Sequence, residues 1–586
     1  MLNFFDFEVF EYDWLVVILN PFEKSETIIV NDAEKLASYY ESHSKEIWVG
    51  YNCKNYDQFI LKGILAGFDP KKINDYIIVR GQPGWKFSSL FRNYPLNNYD
   101  VMANIDRGLK VFEGFMGNNI KETSVPFDIP RKLTDEEIAD TIKYCKHDVQ
   151  QTVEVFLKRK EDFEAHLGLV KLACQGKGLD MSLISKTKPQ LSAIILEATQ
   201  QYRDDEFDID FPDTLRIEKY TAVLDWYRNP ENRCYYKHEP GKKTPKKTQL
   251  EIIVAGCPHQ FGWGGVHGAL EKYQGEGYYL MADVASLYPS LMIRYNLHSR
   301  NMKDPKKYEE IYHTRLKLKA EGNPLQLPLK LVLNSTYGVM KDSSNGLYDP
   351  RQANRVCIYG QLLILDLIEK LEPYCQLIQS NTDGILIKMQ KPEDYYLIDD
   401  ICAEWEERTG LTLEFDEYCK VFQKDVNNYV VVPHGELFTD KGKPRWKSKG
   451  AYVKKLNPLD YDLPIINQAL IDYMVKGIPV EKTIMDCNDL KEFQLVTKIS
   501  GKYDCILHGD RVVNEKCIRI FASKNPQKEG VKKVHAKTKK AAKIANSPEH
   551  CFIWNDEVNG VQCPAELDKQ WYVDLALKRL KDFGVI

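Results

Sequence analysis

The chain has 586 residues, room for three to five domains at about 100–200 residues each. Hydrophobic residues make up 43% and charged residues 28%, ordinary for a globular protein, and the net charge of −4 neither demands nor excludes nucleic acid. No apolar run approaches the roughly 18 residues of a membrane span, Met1–Asp6 lacks a basic leader region, and the 14 scattered cysteines lack paired CxxC spacing and read as reduced thiols of a cytoplasmic protein.

Short apolar runs at 3–10, 14–19 and 26–30 predict strands, followed by a helix from about 32, a strand Ile47–Tyr51 and a helix near 56–66. Thr134-Asp135-Glu136-Glu137 is a capping box that opens a long helix near 135–160. This mixture predicts an α/β domain ending between 165 and 190. Residues 203–250 are charged and broken, with the basic stretch Lys242-Lys243-Thr244-Pro245-Lys246-Lys247, and read as a linker or subdomain edge. Gly262-Trp263-Gly264-Gly265 opens the next unit, with Trp263 read as a core residue. The aromatic run Tyr278–Ala282 predicts a buried strand that ends on Asp283. Ser286-Leu287-Tyr288-Pro289-Ser290 then turns the chain, and Pro289 suits the first turn of a helix. Helices at about 305–321 and 325–341, separated by Gly322-Asn323-Pro324, predict a helical hairpin. Cys375–Ile387 reads as strand, Asp383-Gly384 turn, strand. The remainder mixes short strands with Lys-rich segments, and no fixed-period repeat is present.

Several of these elements carry chemistry. Asp283 at a strand end and Asp383 in a turn are two carboxylates that can share two Mg²⁺ ions. Each alone is an ordinary surface acid. Lys330, Asn334 and Tyr337 fall at i, i+4 and i+7 of one helix face, which suits a triphosphate with a base above it. Arg315 and Lys319, at i and i+4 of the preceding helix, are placed to clamp phosphates; a solvated basic face is the plainer alternative. Near the amino terminus, Asp6 and Glu8 share one face of a strand by period two. Asp57 follows Tyr51-Asn52 and Tyr56 at a strand-to-helix junction, and Tyr144 and Asp148 stand at i, i+4 on the capped helix. Four acids and a tyrosine suit a two-metal hydrolase whose hydroxyl orients water toward a phosphodiester.

The order and identity of these pieces resemble the family B DNA polymerases. Asp283-Val284-Ala285-Ser286-Leu287-Tyr288-Pro289-Ser290 resembles motif A, Lys330–Gly338 motif B, and Thr382-Asp383 motif C. The upstream acids resemble the three motifs of the DEDDy proofreading exonucleases. The resemblance implies an RNase H-like 3′–5′ exonuclease domain at 1–190, then a right-hand polymerase. Its parts would be a linker and first palm segment at 191–300, minimal fingers at 301–343, a second palm segment at 344–455 and a thumb at 456–586. It implies metal ligation by Asp283, Val284 and Asp383 for synthesis, and by Asp6, Glu8, Asp57 and Asp148 for editing, with Tyr144 catalytic. Tyr288 would exclude a 2′-hydroxyl, and Arg315, Lys319, Lys330, Asn334 and Tyr337 would hold the incoming dNTP. Asn52, Gly264, Gly265, Tyr429, Lys447, Lys449 and Gly450 would contact primer–template DNA. The basic run from Lys524 to Lys543 suits a duplex-gripping thumb, with a solvated charged face the equal alternative by composition.

The chain departs from the family at Asn381, where an aspartate is usual, at Gly384, usually Ser, and at Asn427, usually Lys. The short interval between Asp283 and Lys330 leaves no space for the extra segment of protein-primed members, so a nucleic-acid primer is expected. Asp6 stands so near the start that no domain is expected ahead of the exonuclease. The whole reads as a compact phage or mobile-element replicase, active in the cytoplasm of a bacterial host with Mg²⁺ (or Mn²⁺ as a substitute) and replisome factors such as a helicase and a single-strand-binding protein.

Overall fold

Leu2–Val9 alternates so that Phe5, Phe7 and Val9 enter one core with Trp14, Val16, Trp48 and Ile60. Phe4, on the other face, meets Phe156 edge-on at 5.2 Å. Both faces are therefore covered, as a strand rich in phenylalanine requires. The computed structural model describes residues 1–102, 107–238, 241 and 244–586. Within them the chain forms two compact units.

The first unit comprises Met1–Thr187, Leu456–Ile465 and Met485–Tyr572. Its five-stranded sheet has the order Ser25–Val30, Trp14–Asn20, Leu2–Val9, Ile47–Gly50, Asn97–Asp100. Leu2–Val9 pairs antiparallel with Trp14–Asn20 and parallel with Ile47–Gly50. The predicted strands and helices of the first 66 residues occur within a few positions of their expected places. The long helix runs Asp135–Lys158, and both halves of the Thr134–Glu137 capping box are made. Residues 485–572 add two small sheets, one of Leu495–Lys498, Cys517–Ala522 and Cys551–Ile553, the other of Arg511–Val513, Tyr503–His508, Val531–His535 and Ala541–Lys543. They grip the helix Leu109–Met116 at its carboxyl end. Arg519, fully buried, donates to the carbonyls of Gly114, Asn118, Trp554 and Asp556. Lys491 Nζ donates to Met116 O at 2.9 Å. Two cations at a helix carboxyl terminus satisfy its orphan carbonyls and complement its dipole.

The second unit comprises Lys188–Lys455, Ile466–Ile484 and Val573–Ile586. Its nine-stranded sheet has the order Lys447–Lys449, Asn428–Pro433, Leu413–Asp425, Tyr273–Val284, Gly384–Met389, Gln376–Ser380, His267–Ala269, Cys257–Gly262, Gln249–Val254. The helix Pro350–Leu371 is buried along nearly its whole length. The helical hairpin is Pro305–Ala320 and Gln326–Gly338, slightly shorter than predicted.

The charged stretch 203–250 is not a loose linker. Arg300 forks between Asp205 and Asp349, Arg355 is held by Asp210, and Glu369 accepts the amides of Glu218, Lys219 and Tyr220. These partners lie far along the chain, where no local pattern could show them. Within the predicted basic stretch, Lys242 and Lys243 lie outside the described residues, and Lys246–Lys247 forms a short strand with Tyr236–Lys237. No helix among the described residues is long and apolar enough to cross a membrane.

Replacing Arg519 by Met would leave four carbonyls without their donors in a closed environment. A cost on the order of 3 kcal/mol is expected, read as a lowered denaturant midpoint, whereas Arg511→Met on an exposed strand should change it little.

Candidate active sites

In the first unit, the alternation that sends Phe5 and Phe7 into the core turns Asp6 and Glu8 to the opposite face, where the helix Asp135–Lys158 lies. Cys145 on that helix sits 3.4 Å from the Asp6 carbonyl and 3.8 Å from Asp6 Oδ2. Asp57, the first residue of the helix Asp57–Leu65, reaches back so that its Oδ1 accepts from Phe7 N at 3.1 Å. Glu8, Asp57 and Asp148 are buried, and Asp6 keeps a little solvent contact at the rim.

These carboxyls resist ionisation. Asp6 is held well above the usual carboxylate range, by burial first and then by Asp57, Glu8 and Asp148. Glu8 rises for the same reasons, burial and then Asp148. Burial pushes Asp57 up to about 7 and Asp148 to about 6, with Lys110 opposing the rise at Asp148. Burial, then Asp148, Glu8 and Asp6, keep the Tyr144 hydroxyl firmly protonated, a donor rather than a base.

Sequence reasoning missed Lys110. Its Nζ lies 2.5 Å from Asp148 Oδ1 and 3.2 Å from Glu113 Oε1, and 4.6 Å from the centre of the Tyr144 ring. Burial alone would lower its pKa, but Asp148 and Glu113 outweigh it and keep the ammonium charged. Helical spacing of Lys110 and Glu113 could have flagged the pair, but nothing local points to Asp148, 38 residues away. Asn52 stands between the strand Ile47–Gly50 and the helix Asp57–Leu65. It takes a left-handed conformation, φ 59°, and its amide donates to Asp100 Oδ1 at 2.9 Å, so it shapes the turn before Asp57. Four carboxylates that repel one another, three of them buried and Asp6 at the rim, with Lys110 against Asp148, are an oxygen-rich donor set that suits divalent cations.

In the second unit, Asp283 pairs directly with Gly384, and Val284 N donates to Asp383 O at 2.7 Å. The hairpin therefore sets Asp383 beside Asp283. Asn381, at the usual place of a third acid, closes the turn: its Oδ1 accepts from Asp383 N at 3.2 Å and Gly384 N at 2.7 Å. An Asx turn of this kind explains the amide in backbone terms. Gly384 is obligatory here, because a Cβ would collide with Asp283 Oδ1 and stand 2.7 Å from Ala282 O. Gly265 likewise admits Thr382 of the same turn, where a Cβ would strike Oγ1. Gly264 lies beside it with open space where a Cβ would be. Trp263 is a core residue, donating to Asn232 O at 2.8 Å.

Asp283 is flanked across the sheet by Glu414 and, two residues on, Asp416 opposite Met281. Burial raises its pKa to about 6. Lys447 opposes the rise, and Asp383, Asp416 and Glu414 add to it. Lys447 Nζ lies 2.6 Å from Asp416 Oδ2 and 3.9 Å from Asp283 Oδ2. Glu414-Phe415-Asp416 carries the same period-two acid pattern as Asp6-Phe7-Glu8, a signal that could have placed both acids here. Lys449 pairs with Tyr429 across neighbouring strands and Gly450 follows it. The Tyr429 hydroxyl is raised by burial, with Asp283 and Asp383 near it. This oxygen-rich set also fits divalent cations.

The helical hairpin meets this site through aromatic rings. Tyr288, on the helix Leu287–Arg294, stacks on Tyr337 at 4.0 Å, and Tyr337 Oη lies 2.6 Å from Cys357 Sγ. Lys330 and Asn334 share the exposed face of the helix Gln326–Gly338. Arg315 and Lys319 do not act alike: Lys319 is exposed, whereas Arg315 is buried, donates from Nη1 to Ser286 Oγ at 3.2 Å and leaves Nε without a partner. Ser286 itself is left-handed, φ 51° and ψ 50°, a conformation costly for serine that recurs at functional turns.

Two outcomes follow. In the cation-free protein, acids with raised pKa values bind more protons folded than unfolded, so stability should fall as pH rises through 6 and 7. Mg²⁺ should raise Tm more at pH 8 than at pH 5, and Asp6→Asn with Glu8→Gln should raise the cation-free Tm at pH 8, all by differential scanning fluorimetry. Separately, Gly384→Ala should displace Asp283 and lower the rate of any reaction at that site about a hundredfold, with activity at the Asp6 site unchanged in the same assay.

No family model matches the chain, and no curated protein sequence matches it. Among solved structures it is similar to the family B DNA polymerase from the hyperthermophilic archaeon Pyrobaculum calidifontis, over 100% of this chain and 78% of that one, at 13% identity and a TM-score of 0.40. A likeness of that size carries no argument about activity, and the functional reading rests on the geometry of the two acid clusters.

Proposed function

We propose that the chain is a template-directed DNA polymerase of the family B type with 3′–5′ proofreading activity, serving phage or mobile-element replication. The observation that carries this reading is the pairing of Asp283 with Gly384, which sets two carboxylates together next to the stacked Tyr288–Tyr337 rings. Mg²⁺ held at each cluster would supply Lewis-acid activation of a hydroxyl or water and stabilise the departing oxygen.

The protein's own groups do the rest. Asp283 and Asp383, with the Val284 backbone, present the ligands at the end of a rigid strand pair. Lys330 and Asn334, on an exposed helix face, bind the triphosphate, joined by Lys319, while the buried Arg315 fixes Ser286 and so the start of the helix that bears Tyr288. Tyr288 cannot swing away because Tyr337 stacks on it, and it bars a 2′-hydroxyl by occupying that space. Lys447 holds Asp283 and Asp416 apart from one another's charge. In the other unit, Asp6, Glu8, Asp57 and Asp148 hold the cations for hydrolysis, and protonated Tyr144 donates to the attacking water or a phosphate oxygen. The Lys-rich strands Val531–His535 and Ala541–Lys543 grip duplex phosphates; Lys537 and Lys540 have no ion-pair partner among the described residues, whereas Lys528, Lys539 and Lys543 are held by Glu566, Asp504 and Glu549.

A labelled primer–template with Mg²⁺, incubated with and without the four dNTPs, separates the two activities on one gel. Asp283→Ala or Asp383→Ala should abolish extension and leave digestion; Asp6→Ala with Glu8→Ala should do the reverse. Extension surviving in the Asp283 variant would sink the assignment. Tyr288→Ala should incorporate ribonucleotides at least about tenfold more readily; unchanged sugar selection would remove its role as a gate.

A further inference from the structure

The face of the nine-stranded sheet opposite Asp283 carries a cleft that the polymerase reading leaves unused. Directly opposed residues of antiparallel strands share a face. Asp283, Met281 and Asp416 therefore lie on one side of the sheet, and Leu280, Glu417, Tyr278 and Met389 on the other. There Tyr278, Met389, Glu417, His434 and residues of Pro392–Tyr396, with Tyr279 at the strand between, line an open cleft of about 300 Å³.

Its walls have a particular chemistry. Tyr278 and His434 stack at 5.9 Å and 18°, and Tyr395 and Tyr396 meet edge-on at 6.2 Å. Tyr278 is 40% exposed and Tyr396 74%, more aromatic surface than a solvated face needs. Glu393 and Glu417 border the rings, and neither carboxylate has a hydrogen-bond or ion-pair partner among the described residues. Aromatic faces beside unpaired carboxylates attract an organic cation through the ring quadrupole and through charge. The same carboxylates repel phosphate, which disfavours nucleic acid as the occupant.

We propose that this cleft binds the guanidinium of an arginine presented by a protein partner. A planar guanidinium can lie flat on Tyr278 or Tyr396 while its in-plane fork of donors reaches Glu393 and Glu417; an ammonium lacks the flat face that stacks on a ring. Exposed Leu397, next to Tyr396, offers apolar surface to the chain on either side of that arginine. Because the cleft lies on the far face from Asp283, a partner can dock there without occupying the synthetic site.

The test uses the full chain and three short peptides of identical sequence carrying two arginines, two citrullines or two lysines, titrated calorimetrically at low salt. The arginine peptide should bind at least about tenfold more tightly than the citrulline peptide, whose side chain keeps the shape and loses the charge. Glu393→Gln with Glu417→Gln, and separately Tyr396→Ala, should each weaken arginine-peptide binding by about fivefold or more with an unchanged circular dichroism spectrum. Equal binding of the citrulline peptide, binding indifferent to these substitutions, or no binding at millimolar peptide would overturn the proposal. Equal affinity for the lysine peptide would overturn the assignment to arginine. Single-stranded oligonucleotide binding that falls in Tyr396→Ala would assign the face to nucleic acid instead.

Discussion

Like charge held in a small space organises each unit. Five carboxyls sit where burial and mutual repulsion oppose their ionisation, Asp6, Glu8, Asp57 and Asp148 in one unit and Asp283 in the other, where the hairpin backbone sets Asp383 beside it. Such an arrangement costs stability once the pH rises far enough to ionise the acids, and a divalent cation would relieve it. The surrounding architecture serves to impose it. Flexible side chains on loose loops would move apart, so the acids stand on a covered strand, on a capped helix and on a hairpin whose turn is closed by Asn381.

Lysine moderates the repulsion in both units in the same way. Lys110 reaches Asp148 and Glu113, and Lys447 reaches Asp416 with Asp283 beyond it. Each is a single positive charge against several negative ones, enough to let the protein fold and too little to neutralise the cluster. Lys110 stands on a helix whose far end is gripped by Arg519 and Lys491, so residues 485–572 help to set the position of the cation on Asp148.

Much of this was legible in the amino-acid order because it is local. Period two put Asp6 and Glu8 on one face, the Thr134–Glu137 box started the helix that bears Tyr144 and Asp148, and Asp383-Gly384 between apolar runs marked a hairpin. Where the sequence misled, partners distant along the chain were the cause. Within 203–250, read as a linker or subdomain edge, Asp205, Asp210 and Arg216 are paired with Arg300, Arg355 and Glu404. The ion pair of Lys447 with Asp416 could not be read from the sequence, because the two stand on different strands. Arg315 and Lys319, equivalent by spacing, differ because only Arg315 has Ser286 within reach.

The sequence by itself determined which residues could do chemistry and on what kind of element each would stand, since strand and helix periods and turn preferences act over a few residues. Only the tertiary structure decided which acids share a site, that Asp283 lies against Gly384 with no room for a side chain there, that Lys110 rests on Asp148, and that the sheet has a second, aromatic and acidic face. Those facts depend on strand register and on contacts between segments tens to hundreds of residues apart, and nothing in a local pattern specifies them.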